Sequence, residues 1–288
     1  MTNITLIIVY IGKWPPWMTY FLHTCRYNST INYLFFTDQT KDLPALSNVT
    51  FVDFNLQVFN ALASQKTGLS IDVASPYKLC DFKPAFGKIF EDYLTNCHFW
   101  GYTDIDLVFG NIRKFITEDL FNQYDVITAK KEYLVGHFTL YRNNPTINEL
   151  YTRSQHYKMI FQVDTCCSFD ECVYLWKKLL AGESIFSLQA PVESMTHVVT
   201  RLHNAGAIKA LFSKFMLEQD QYDSQGNLEE WNDTLYWNNG NLMSMKEAME
   251  YMYFHFHFLK KMKSFSLPAG EPGEAFYIQK TGFAHSRY

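Results

Sequence analysis

The chain lacks the signatures of several common mechanistic classes. Its 288 residues contain no Gly-x4-Gly-Lys-Ser/Thr loop, no Gly-x-Gly-x-x-Gly turn and no Gly-x-Ser-x-Gly elbow. ATP-type kinase, dinucleotide-binding and serine-hydrolase readings therefore lose support. The six cysteines include no Cys-x-x-Cys pair, and Cys166 and Cys167 are adjacent. That usage suits reduced thiols in a core better than a disulfide frame or a zinc site. Basic charge is not in excess: 25 Lys and Arg against 29 Asp and Glu leave a net charge of −4. No basic stripe marks a nucleic-acid partner. No apolar run approaches the roughly 18 residues of a membrane-spanning helix. The run Ile4–Ile11 is too short, and lacks the basic start, for a signal peptide. A cytoplasmic protein is expected.

Aromatic residues are what the chain has in surplus, at 17%. Such a surplus lines ligand sites or fills a dense core. Thr5–Ile11 is a continuous β-branched run ending at Gly12, the pattern of a strand buried on both faces. Tyr33–Thr37 and Val49–Phe54 read as further strands, with a helix over Trp17–Cys25 after Pro15-Pro16. Strand, helix and strand joined by short turns predict an α/β fold with a mostly parallel central sheet flanked by helices. Tyr77–Leu94 predicts an amphipathic helix, Asp125–Ala129 and Phe138–Arg142 predict strands, and Thr146–Lys158 and Asp170–Leu180 predict helices. Phe212–Leu217 and Tyr222–Tyr236 carry strand and turn signals, and Met245–Tyr253 begins as a helix. With no repeat or linker, one domain over residues 1–288 is the simplest account.

The most informative stretch is Trp100-Gly-Tyr-Thr-Asp-Ile-Asp-Leu-Val-Phe-Gly110. In an extended backbone Asp104 and Asp106 point to the same side, while Ile105, Leu107 and Val108 anchor the segment in the core. Ionised carboxylates are costly beside apolar residues unless paired or bound to metal. Such a pair suits Mn²⁺ or Mg²⁺ shared with phosphate oxygens. A bare Asp-x-Asp also occurs in solvated turns, but a solvated turn has no need of Phe99, Trp100, Val108 and Phe109 around it.

A second constellation is Tyr253-Phe-His-Phe-His-Phe-Leu-Lys-Lys-Met-Lys263. If extended, His255 and His257 share one face, and Lys260 or Lys261 could meet a phosphate. An amphipathic edge strand with solvated histidines is the plain alternative. Asp164, Asp170 and Glu171 surround Cys166-Cys167, and one of them could take a proton from an acceptor hydroxyl. Asp170 as a helix N-cap is the competing account. Lys83 and Asp81 lie upstream of the Asp-x-Asp segment, where a cation could reach a phosphate. Gly136-His-Phe-Thr-Leu-Tyr-Arg142 offers polar groups at alternate positions, as a sugar-binding wall or a half-exposed strand would.

The chain resembles the bacterial GT-A-type glycosyltransferases of capsule and lipopolysaccharide assembly. The likeness rests on Pro76-Tyr-Lys-Leu-Cys-Asp-Phe-Lys-Pro-Ala-Phe-Gly87, the Trp-Gly-x-x-Asp-x-Asp run, Gly136–Arg142 and the late His-Phe segment. It implies a GT-A-like domain with a nucleotide-binding part over about 1–130 and an acceptor-binding part over about 131–288. It also implies transfer of a hexose from a nucleoside-diphosphate sugar to a saccharide or lipid-linked saccharide. The nucleotide would lie on Val9, Tyr10 and Gly12, with Thr37 and Asp38. Mn²⁺ or Mg²⁺ would lie on Asp104 and Asp106, completed by His257 in preference to His255. Lys83 and Lys260 are the candidates to neutralise the diphosphate, and Asp170 and Glu171 the candidates for the base. A metal-dependent phosphohydrolase and a non-catalytic carbohydrate-binding protein are the alternatives. The aromatic and lysine side chains of Tyr251–Lys263 would also favour peripheral contact with the inner face of the membrane.

Overall fold

Ile4, Leu6, Ile7 and Ile8 are all buried, and the strand that carries them, β1 (Ile4–Tyr10), has a parallel neighbour on each side. A continuous apolar run is stable there because both faces of the strand are covered. The computed structural model describes residues 1–39, 44–220, 222 and 228–285. By internal contacts it forms two units. The first comprises Met1–Lys13, Thr30–Asp104 and Glu118–Lys214, and the second Trp14–Ser29, Ile105–Thr117 and Phe215–Tyr288.

The first unit is built on a seven-stranded sheet. Its strands are β1, β2 (Ile31–Thr37), β3 (Val49–Asp53), β4 (Phe99–Thr103), β6 (Val126–Thr128), β7 (Phe138–Arg142) and β8 (Ala210–Phe212), in the order β3-β2-β1-β4-β7-β6-β8. The pairs β1–β2, β2–β3, β1–β4 and β6–β8 are parallel, whereas β7 runs antiparallel to both β4 and β6. The sheet is therefore mixed. A parallel neighbour needs a crossover of about a dozen residues or more, and only residues 129–137 separate β6 from β7. Trp100 stacks on Tyr141, its partner across β4 and β7, with ring centroids 4.6 Å apart. Phe36 stacks on Phe90, and Phe82 on Phe161, in the same core.

Three expected helices are broken. In place of one helix over Tyr77–Leu94 there is a 3₁₀ segment Pro76–Ala85, a single turn Phe86–Ile89 and another 3₁₀ turn Glu91–Tyr93. Pro84 supplies no N–H to a helical ladder, and Lys78, Asp81 and Lys83 are all buried, so no polar face is left for solvent. Thr146–Lys158 divides into Pro145–Asn148, Leu150–Arg153 and the start of Tyr157–Gln162. Of Asp170–Leu180 only Trp176–Leu180 is helical, because Val173 and Tyr174 have φ of 57° and 60°. Asp170 is accordingly not a helix N-cap.

The second unit holds two smaller sheets. One is three-stranded, with β13 (Tyr253–His255) between β5 (Leu107–Phe109), antiparallel, and β9 (Met216–Glu218), parallel. The other has the order β12-β11-β10-β14-β15, from β10 (Leu235–Asn238), β11 (Asn241–Ser244), β12 (Met249–Tyr251), β14 (Ala275–Gln279) and β15 (Gly282–Ala284). The end of the stretch expected to start a helix at Met245 is therefore strand β12, entered through Ala248 at φ 53°. Within the strand and turn signals of 222–236, residues 223–227 lie outside the described residues.

Tyr251, Tyr253, Phe254 and Phe256 are all buried. Phe254 and Phe256 pack with Trp231, Trp237 and Phe276 in one cluster. The expected membrane face is therefore not supported by these aromatics, because packing in that cluster covers the rings of Tyr251, Phe254 and Phe256. No helix among the described residues is long and apolar enough to cross a bilayer.

Gly87 lies against the indole of Trp100, where an added Cβ would approach ring atoms to 2.2 Å. Gly87→Ala is expected to destabilise the protein by about 1–3 kcal/mol, as overpacked cores do. The midpoint of a urea unfolding curve measures it.

Candidate functional site

The parallel register sets Val9 beside Phe36 and Tyr10 beside Thr37, so β1 and β2 end together. Beyond them the Asp38 carboxylate accepts a 2.9 Å hydrogen bond from the Gly12 N–H, and Gly12 has a φ of +117° that other residues rarely adopt. The Tyr10 hydroxyl donates to the Lys13 carbonyl. Burial and the Asp38 charge raise the Tyr10 pKa. In open α/β sheets, ligands bind outside the carboxyl ends of such strands. Val9, Tyr10, Gly12 and Asp38 are therefore together at one strand end.

The Asp104-Ile105-Asp106 segment is a bend between β4 and β5, not an extended strand. Strict alternation fails there, and the two carboxylates have separate partners. In the first unit the Asp104 N–H donates to the His137 carbonyl, while Asp104 Oδ1 accepts from Lys83 Nζ at 2.6 Å. The same ammonium donates to the Gly136 carbonyl at 2.7 Å and lies 3.7 Å from Asp170 Oδ2. Burial works to lower the Lys83 pKa, but Asp104, Cys80 and Asp170 outweigh it and raise it well above the ordinary lysine value. Lys83 is thus already engaged by two carboxylates and a carbonyl.

Glu171 Oε1 accepts a 2.7 Å hydrogen bond from the Gly136 N–H. A Cβ on Gly136 would come within 2.4 Å of Asp170 Oδ2, so both acids sit against bare backbone. Asp170 is buried, and desolvation raises its pKa well above the ordinary carboxylate value despite Lys83, with Glu171 and Asp81 pushing the same way.

The turn that delivers these acids is clamped from beneath. Asp81 is fully buried and accepts from the N–H groups of Cys167 at 2.8 Å and Phe169 at 2.9 Å. Lys78, equally buried, donates to Asp81 at 2.7 Å and to the carbonyls of Ile160 and Thr165. Asp81 therefore holds backbone, not phosphate. Removing one partner of a buried pair leaves an uncompensated charge. Lys78→Met is expected to cost about 3–5 kcal/mol on that account, as chemical denaturation would show.

In the second unit Asp106 immediately precedes β5, and its carbonyl accepts from the Phe256 N–H just after β13. The register brings its carboxylate to the late histidines. Asp106 Oδ2 lies 3.4 Å from His255 Nε2, 3.7 Å from His257 Nδ1 and 2.6 Å from Lys260 Nζ. Burial works to raise the Asp106 pKa, but His255, His257 and Lys260 outweigh it and hold it well below the usual carboxylate range. His255 faces Glu218 across the β13–β9 register, and its Nδ1 is 2.7 Å from Glu218 Oε1. Burial opposes its charging, yet Asp106 and Glu218 lift its pKa to about 10. Lys260 also lies over the Trp17 ring, 5.2 Å from its centroid.

The ligand atoms of Asp106, His255 and His257 fall within 4.8 Å of one another. One carboxylate oxygen and two imidazole nitrogens are a donor set that a divalent first-row ion accepts. The Lys260 ammonium also faces the Asp106 charge that such an ion would meet.

A family model matches residues 6–287, nearly the whole chain. The protein belongs to DUF6625, a family of unknown function. No curated protein matches its sequence at a significant level. Among solved structures, this DUF6625 protein is similar to the galactosyltransferase LgtC in complex with donor and acceptor sugar analogues. The identity there is 9%, over 94% of this chain and 92% of that one, with a TM-score of 0.41. Mouse xyloside xylosyltransferase 1 in its apo form gives 9% identity, 91% and 99% coverage, and a TM-score of 0.42. At this distance neither likeness transfers a residue role or a reaction to the DUF6625 chain.

Lys78, Gly136 and Glu218 had no role in the sequence-based reading. Gly136 and Lys78 stood in quoted motifs, and only the folded backbone shows what each touches. Glu218 has no local signal, because it meets His255 through strand pairing across 37 positions.

The Asp170 environment makes a pH-dependent prediction. A carboxyl that folding makes harder to ionise loses stability as pH rises from its ordinary value of 3.8 towards the raised one. Asp170→Asn is therefore expected to melt above wild type, by a margin that grows as pH rises above 3.8. Thermal unfolding across that range measures it.

Proposed function

We propose that this DUF6625 protein is a metal-dependent glycosyltransferase with a GT-A-like arrangement. It would move a hexose from a nucleoside-diphosphate sugar to a hydroxyl of a saccharide or lipid-linked saccharide in surface polysaccharide assembly, in the cytoplasm. The observation that carries this reading is the Asp106–His255–His257 cluster, in which a buried carboxylate on the Asp-x-Asp bend meets two imidazoles.

Asp106 and His257 would hold the ion, with His255 adjoining them; Asp104, the other carboxylate of the Asp-x-Asp pair, is held in the first unit by Lys83. Imidazole donors favour Mn²⁺ over Mg²⁺. The ion would supply charge neutralisation to the departing diphosphate. Val9, Tyr10, Gly12 and Asp38 are assigned to the nucleotide, in the part over about 1–130. Lys260, partly exposed and paired with Asp106, would meet a phosphate oxygen. Lys83 does this less directly, since it holds Asp104 and Asp170. The acceptor would be served from the part over about 131–288. There Asp170 is the stronger base, because desolvation raises its affinity for a proton. Glu171 is anchored on Gly136.

Two measurements test this. Titration of Mn²⁺ with UDP or GDP, followed by calorimetry, should show Asp106→Ala losing metal-dependent nucleotide binding by tenfold or more, about 1.4 kcal/mol. His257→Ala should weaken it less. Asp106→Ala binding as tightly as wild type would overturn the metal assignment. A panel of sugar nucleotides with and without Mn²⁺ should release nucleoside diphosphate only with the ion. Release of inorganic phosphate instead would mark a phosphohydrolase.

A further inference from the structure

Tyr174 has an exposed ring on a backbone conformation that disfavours side chains. It is 46% exposed, and its φ is 60°. A bulky residue seldom takes that conformation, which glycine adopts at little cost. Single exposed aromatics are ordinary on a protein surface. This one, however, is pinned. Its hydroxyl donates to the Cys166 carbonyl at 3.0 Å. Its ring meets that of Trp176 in a T-shaped contact, with centroids 5.6 Å apart.

The turn that carries Tyr174 is closed on itself. The N–H groups of Glu171 and Val173 both donate to the Ser168 carbonyl, and that of Leu175 donates to the Cys172 carbonyl. Asp81 holds the N–H groups of Cys167 and Phe169. Ser168 and Val173 also have positive φ, of 53° and 57°. Strain of this kind persists only where the surroundings over-determine it, and it gathers at ligand clamps and active sites. Asp170 and Glu171 stand on the same turn, both against Gly136. One rigid frame therefore carries an open aromatic ring and two carboxyl groups.

A pyranose matches that combination. One face of the sugar ring presents C–H groups, which pack on an aromatic ring. Its edge presents hydroxyls, which carboxyl groups bond in either protonation state. A tyrosine ring whose orientation is already set loses little freedom when a ligand lies on it. We propose that Tyr174 is the shelf for the saccharide acceptor, on which a pyranose stacks with its hydroxyl edge towards Asp170 and Glu171. Trp176 acts as a positioning residue that sets the angle of the Tyr174 ring. The role as acceptor rests on the sugar-transfer reading, whereas the stacking of a saccharide is measurable without transfer.

The test uses the full chain with the methyl pyranosides of glucose, galactose and mannose as probes. Saturation-transfer NMR on wild type is expected to show transfer to the ring C–H protons of at least one probe. Tyr174→Gly and Tyr174→Asn remove the ring but suit a φ of 60°, so a native fold is expected, checked by circular dichroism. In both variants the dissociation constant of that probe should rise about tenfold or more, about 1.4 kcal/mol. Tyr174→Phe keeps the ring and should bind the probe far more nearly as wild type does. A merely structural Tyr174 would shift the melting temperature in the Gly and Asn variants and leave saccharide binding as in wild type. That result, or wild type binding none of the probes, would overturn the shelf. Mn²⁺-dependent UDP binding is measured on the same samples, and its absence would count against sugar transfer and not against the shelf.

Discussion

An aspartate taken out of water has to be stabilised where it lies, and much of the chemistry in this protein follows from how three of them are. Asp81, Asp106 and Asp170 are each nearly or fully buried. The unpaired cost would be several kcal/mol per ion, comparable with a domain's whole stability of about 5–15 kcal/mol. Asp81 is met by Lys78 and two backbone N–H groups, and Asp106 by two imidazoles and Lys260. Among the described residues Asp170 has a longer contact with Lys83 and two acids nearby, so its proton is held more tightly. The first arrangement is structural, the second suits a cation, and the third suits a base.

Each arrangement begins in backbone geometry. Asp106 reaches the histidines because β5 and β13 pair in a register that puts Leu107 opposite His255. His255 reaches Glu218 because β13 also pairs with β9. Glu218 then fixes the imidazole from its far side, as an outer carboxylate commonly does for a metal-binding histidine. Asp170 and Glu171 project beside Lys83 because the turn before them is fastened to Asp81 and because Gly136 leaves room for both.

The resemblance to GT-A enzymes and the geometry bear on different questions. Family membership assigns the chain to DUF6625 and says nothing of chemistry. What supports sugar transfer is the meeting of a metal-suited cluster with the Asp-x-Asp bend, together with a raised carboxyl and a strand end carrying Gly12 and Asp38.

Three strands of the first unit were legible in the chain: the runs read over Thr5–Ile11, Tyr33–Thr37 and Val49–Phe54 fall on β1, β2 and β3, and the continuous β-branched run of β1 called for burial on both faces, whereas β3 is a half-exposed edge strand. So was the importance of Asp104 and Asp106, since carboxylates set among Trp100, Val108 and Phe109 need compensation. The helices over 77–94 and 170–180 were misread because their periodicity is real but Pro84 and the left-handed Val173 and Tyr174 interrupt it. The late aromatics suggested a surface and are core, because nothing local distinguishes a central strand from an exposed one. Local pattern therefore determined which residues had to be buried and which charges had to be answered. Which partner answers each charge was decided only by tertiary structure, because Glu218 with His255, Lys260 with Asp106 and Asp81 with the 167–169 backbone are joined by strand register and turn geometry across 37 to 154 positions.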